Sequence, residues 1–105
     1  MVRVTRKVTL NGTLLAKNNR TILIEGKNYF PPESVNMEYL RKSDTKTTVS
    51  GMGELSYYDI VIDGEVSKDA ACYFAETDPE ALKKIGKDYK NYILFMKDTK
   101  EEVSI

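Results

Sequence analysis

The chain of 105 residues carries sixteen basic and sixteen acidic side chains, no histidine and one cysteine. This balance excludes a general field that would gather nucleic acid or an anionic membrane, and the lack of histidine removes the commonest general base and metal ligand. At 12.0 kDa, surface scaling predicts one domain exposing roughly 6,000 Å² when folded, with core enough to dispense with metal or disulfide staples. A lone Cys72 cannot close an internal disulfide, so a reducing, cytoplasmic setting is expected. The opening "MVRVTRKVTL" alternates in polarity and lacks the apolar stretch of a signal peptide. No apolar run approaches the ~18 residues of a membrane span.

In chain order, Val2, Val4, Val8 and Leu10 alternate with polar residues, the period of a half-buried strand. Arg6 interrupts the apolar series and places this strand near an edge or a mouth. Asn11-Gly12 is a strong hairpin signal, because both residues tolerate positive φ. "TLLAK" and "TILIE" read as strands around the turn "NNR", and Gly26-Lys27-Asn28 turns the chain again before Tyr29-Phe30. Pro31-Pro32 ends the ladder, since neither residue has a backbone N–H to donate. Asn36 suits the cap of a short helical turn through Leu40, with Val35 and Tyr39 on its inner face.

"RKSD" reads as a polar connection, "TKTTV" as β-prone and "SGMG" as a loop. "ELSYYDIVI" is the clearest strand and ends at a second hairpin signal, Asp63-Gly64. "AACYFA" reads as a strand. A short helix follows, with Asp78 as N-cap, Pro79 at the first position, Leu82 and Ile85 on its apolar face and Gly86 as terminator. "NYILFM" is an apolar strand, and in the polar tail Val103 and Ile105 pair at an edge. About seven or eight short strands with regular turn signals predict a mainly β fold. It is a single small domain over residues 1–105: a twisted antiparallel sheet, or a partly closed β-barrel or sandwich, with one or two short helices.

The sequence contains no phosphate loop, dinucleotide glycine fingerprint, paired cysteines or serine nucleophile elbow. Four sets of residues can carry chemistry, and each has a plainer structural reading. Glu33 at a rigid corner can act as a base, a metal ligand or an acceptor for ligand hydroxyls, or it can accept backbone N–H groups of the following turn. Thr45 and Thr47 share one strand face and offer hydroxyls to sugar or phosphate oxygens, or they are β-branched filler. Tyr57 and Asp59 share a face that can line a barrel mouth, or they pack across strands. The seven tyrosines can stack on bases, or they supply core and rim. Cys72, among apolar neighbours, reads as a buried inert thiol.

"YFPPESV", then "SDTKTT", then "SYY" in a long strand, then Asp-Gly, then "DAACYF", then the stretch around Ile85 and Lys87 leading into an aromatic-rich strand, together resemble the family called domain of unknown function 427. The likeness runs from about Asn11 to Lys97, and the family also carries a nucleotidyltransferase-like label. It implies a small, mostly β, cytoplasmic domain with no established activity. It also implies a polar cluster on Glu33, Ser43, Thr45, Thr47 and Tyr57 as ligand-binding residues. The family often has Cys-Pro-aromatic-Lys-Gly after the threonines, where this chain has Val49-Ser50-Gly51-Met52-Gly53. Chemistry that needs that thiol or ammonium is therefore closed to this member by the same route, and Cys72 resembles the family's packing tryptophan.

Two functions follow as expectations. The first is a small-molecule ligand in a pocket near the Pro-Pro-Glu corner, with no metal and no cofactor. The second is an interaction module that self-associates as a homo-oligomer through an edge strand or a tyrosine-rich patch. Neither nucleic acid nor membrane is an expected partner. Whether the protein is an enzyme is left open.

Overall fold

The computed structural model describes residues 4–96 and 98–104. Val2 and Ile105, read above as strand residues, lie outside that range. Nine strands are described: β1 (Thr5–Leu10), β2 (Thr13–Asn18), β3 (Ile22–Ile24), β4 (Lys27–Tyr29), β5 (Leu40–Val49), β6 (Gly53–Ile62), β7 (Glu65–Phe74), β8 (Ile93–Phe95) and β9 (Lys100–Ser104). One α-helix, α1 (Pro79–Ile85), and two 3-10 turns, Pro32–Ser34 and Met37–Tyr39, complete the chain. The fold is mainly β and antiparallel, as the sequence predicts.

Three two-residue hairpins set the registers. Asn11-Gly12, Glu25-Gly26 and Asp63-Gly64 all hold positive φ at both positions, the turn whose twist matches paired strands. The Glu25-Gly26 turn corrects the expected Gly26-Lys27-Asn28 turn, because Lys27 and Asn28 already belong to β4. α1 begins and ends as read. The Asp78 carboxylate accepts from the N–H groups of Glu80 and Ala81, and Gly86 closes the helix at φ 77°. Asn36 does not cap its turn with its side chain. Its Nδ2 instead donates to the Leu14 carbonyl at 2.8 Å, tying the turn to β2.

The strands form a sheet in the order β2-β1-β9, a hairpin β3-β4 and a sheet in the order β5-β6-β7-β8. β1 is thus a central strand, so of the two expected positions, edge or mouth, the edge is corrected. Alternation along β6, β7 and β8 sends side chains to two cores. Tyr58, Ile60, Ala71 and Ile93 meet Val8, Leu10, Leu15 and Ala16 of β1 and β2 on one face. Cys72, Phe74 and Leu94 meet Ile22, Ile24 and Tyr29 of the hairpin, with Ala81 and Tyr89, on the other.

The double proline is the seam between these layers. Phe30 exchanges both backbone hydrogen bonds with Ile93, each 2.8 Å, on the free side of β8. Five residues later Val35 bridges Ala16 on the free side of β2, and Asn36 N–H donates to the Leu15 carbonyl at 2.7 Å. Pro31 and Pro32 turn the chain between the two edges without leaving an unpaired donor. The result is a layered body of three antiparallel sheets, tied together at this corner by two isolated bridges. It exposes 6650 Å², more than the scaling value, consistent with a flattened body of 40 × 39 × 20 Å. Among the described residues, no helix is long and apolar enough to cross a membrane.

Candidate functional site

Two polar regions emerge, and the sequence marks them unequally. The first lies on β5, β6 and β7. "RKSD" is not a connection but the start of the ten-residue β5. Between Lys42 and Lys46 the register against β6 gains two residues, and β7 gains two against β6 between Ala71 and Ser67. The β5 bulge lies opposite Ser56 to Tyr58 of β6 and the β7 bulge opposite Tyr58 to Ile60, so the two adjoin at Tyr58 and aim side chains across β6. Ser43 Oγ donates to Asp69 Oδ1 at 2.6 Å and Thr45 Oγ1 donates to Asp69 Oδ2 at 2.8 Å. The backbone N–H of Asp69 donates to Oδ1 of Asp59 at 2.9 Å. Asp59 is only 7% exposed, and its other oxygen faces the Arg41 guanidinium at 3.7 Å. Asp69 holds φ at 52°, in the left-handed region. The bulge and its hydrogen bonds keep it there.

Ser43 and Thr45 are therefore brought together, on the Asp69 carboxylate. Thr47 and Tyr57 form a neighbouring pair on the same two strands, with the Tyr57 hydroxyl donating to Thr47 Oγ1 at 3.3 Å. Glu33 does not join them. It is exposed on the 3-10 turn, and among the described residues it makes no hydrogen bond or ion pair. The expectation that it faces a concavity is corrected, and the cause is local. Ser34 and Val35 N–H close 3-10 bonds onto the Pro31 and Pro32 carbonyls, which turns Val35 into the core and leaves Glu33 on the solvent side.

The second region has no marker in the sequence. A recess of about 540 Å³ opens between β1, β4, β8 and the segment leading through β9. Val8, Phe30, Leu94, Phe95 and Met96 form its apolar walls, and Lys27, Asn28, Thr99 and Glu101 are its polar lining. Phe30 sets one wall, held edge-on to Phe95 with ring centres 6.0 Å apart. The Thr99 hydroxyl bonds the Met96 carbonyl at 3.2 Å, shaping the far side. Phe30 adjoins the proline corner, but Glu33 does not line the recess.

Cys72 is fully buried, its sulfur 3.8 Å from that of Met96. Burial pushes its thiol up to about 12, against the weaker pull of Lys27, so the inert reading holds. Among the described residues, no group of three or more acidic or cysteine side chains is placed to hold a metal.

No curated protein matches this chain. The family model described as "Domain of unknown function (DUF427)", whose short label NTP_transf_9 names a nucleotidyltransferase, matches residues 2–104. With nearly its whole length matched, the chain belongs to the DUF427 family.

Proposed function

We propose that this domain binds a small, partly apolar ligand in the recess bounded by β1, β4, β8 and β9. The observation that carries the reading is the composition of that recess: five apolar walls, two of them aromatic, and four polar residues in about 540 Å³. Small-ligand sites are built this way, with apolar area for affinity and a few polar groups for orientation, in volumes of roughly 300–1,000 Å³. The β5–β7 cluster fits the role less well. Both oxygens of Asp69 already accept hydroxyl hydrogen bonds, so that cluster is occupied with holding its own bulges.

A ligand-observed NMR screen of small amphiphiles tests the reading, with Thr99→Trp as the blocking variant. Thr99 lines the recess and is half-buried. Hits should weaken by at least about tenfold in the variant, because an indole there occupies the space they need. Hits that bind the variant unchanged defeat the proposal.

Self-association finds support in Val66 and Val103, each about half exposed on β7 and β9. The long free edge of β5 argues against it. That edge carries Lys42, Lys46 and a bulge, devices that blunt strand-to-strand pairing.

A further inference from the structure

A second recess adjoins the first, with Asn28 lining both. Its character is different. Arg6 reaches it from β1, Arg20 from the β2–β3 connection and Lys87 from the segment after α1, and Asp88 is its one acidic lining residue. Three segments distant in sequence thus bring cations to one cleft on a chain whose net charge is zero. Among the described residues, Arg20 and Lys87 make no ion pair. Arg6 is held by a single long contact to Glu101 at 3.6 Å. Such a cleft concentrates positive potential, and two guanidinium forks match the oxygens of a phosphate or carboxylate.

We infer that the basic recess seats the acidic group of the ligand whose apolar body fills the neighbouring recess. The ligand class is then a small organic acid, phosphate or carboxylate, on an apolar body. This rests on the proposed binding reading and specifies its ligand. Strand geometry supports the join. Arg6 and Val8 lie two residues apart on one side of β1, with Arg6 in the basic recess and Val8 in the apolar one, about 7 Å apart by strand rise. Asn28 stands between with its Oδ1 taken by the Thr21 hydroxyl at 2.8 Å. Its Nδ2 makes no hydrogen bond among the described residues and can donate to the head group. An arriving anion competes with Glu101 for Arg6, which frees that carboxylate on the rim of the apolar recess.

The test compares hexyl phosphate, hexan-1-ol and inorganic phosphate, each titrated by ¹H–¹⁵N NMR in physiological salt. The wild-type chain and the double variant Arg20→Gln/Lys87→Gln are both measured. Both substituted residues are exposed, so the variant should fold. Hexyl phosphate should bind at least about tenfold more tightly than hexanol, shifting amides of Arg20 and Lys87 as well as Lys27 and Phe95. The double variant should lose that advantage while hexanol binding is unchanged. If the alcohol binds as well as its phosphate, or the variant loses nothing, the acidic head is refuted and the apolar recess survives. If inorganic phosphate binds at Arg20 and Lys87 but neither alkyl probe reaches the recess, the joined ligand is refuted along with the apolar reading. Silence from all three probes refutes both.

Discussion

The two polar regions of this domain differ in where their hydrogen bonds go. On β5, β6 and β7, Ser43, Thr45, Asp59 and Asp69 spend their capacity on one another and hold two bulges in place. Around β1, β4 and β8, polar and basic side chains line apolar walls and open space. A closed polar network is a structural device, while an open one beside apolar surface has something left to offer a ligand. Residue type alone does not separate them, since serine, threonine and aspartate in the first region look more like a site than the second does.

The sharpest way to break this contrast is to remove a recess wall. Phe30 is 1% exposed and belongs to the same core as Ile93 and Val8. Phe30→Ala should cost about 3–5 kcal/mol in urea unfolding and abolish ligand binding together. The closed network should respond differently. Asp69→Ala removes the acceptor of two hydroxyls and should cost about 2–3 kcal/mol with ligand affinity intact. Asp69→Gly should be less damaging by about 1 kcal/mol, because glycine adopts φ 52° freely. A larger loss in the glycine variant would mean that backbone strain is not part of the bulge.

Alkaline pH probes the buried core next to the recess. Burial raises the Cys72 thiol from 9.0 to about 12 and the Tyr29 phenol from 10.0 to about 12. The folded chain therefore holds these protons more tightly than the unfolded chain. Their contribution is complete below about pH 9 and drains away as pH rises toward 12. Unfolding free energy should drop by about 2 kcal/mol between pH 8.5 and 10.5, and Cys72→Ala should flatten part of that slope. A flat wild-type profile would contradict the burial of both groups. The smallest effect belongs to the open region. Arg20→Gln should change stability by less than about 0.5 kcal/mol, while weakening acidic ligands severalfold.

Much of the fold was legible because its signals are local. Asn11-Gly12, Asp63-Gly64 and the Asp78–Gly86 helix frame each state their geometry within a few residues. The Glu25-Gly26 turn was hidden because glutamate seldom adopts positive φ. β5 looked broken because its bulge falls on Ser43, Asp44 and Thr45, residues that also suit a loop. Ser43 is marked only by the family resemblance, and Thr45 by that and by the hydroxyl row it shares with Thr47. Asp69, their acceptor, lies 24 and 26 residues away and reaches them only through a second bulge. Glu33 misled because a proline corner looks like a rim, whereas here it stitches the β8 edge to the β2 edge. The recess itself had no local signal at all. Its walls come from four strands spread from Val8 to Glu101.

Chemical-shift mapping of hexyl phosphate on the wild-type chain tests the central claim most directly. The account predicts saturable shifts concentrated at Lys27, Asn28, Phe95 and Thr99, joined by Arg20 and Lys87 at the phosphate, with Ser43, Thr45 and Asp69 unmoved. Shifts concentrated on Ser43, Thr45, Asp59 and Asp69, with the recess silent, would contradict it.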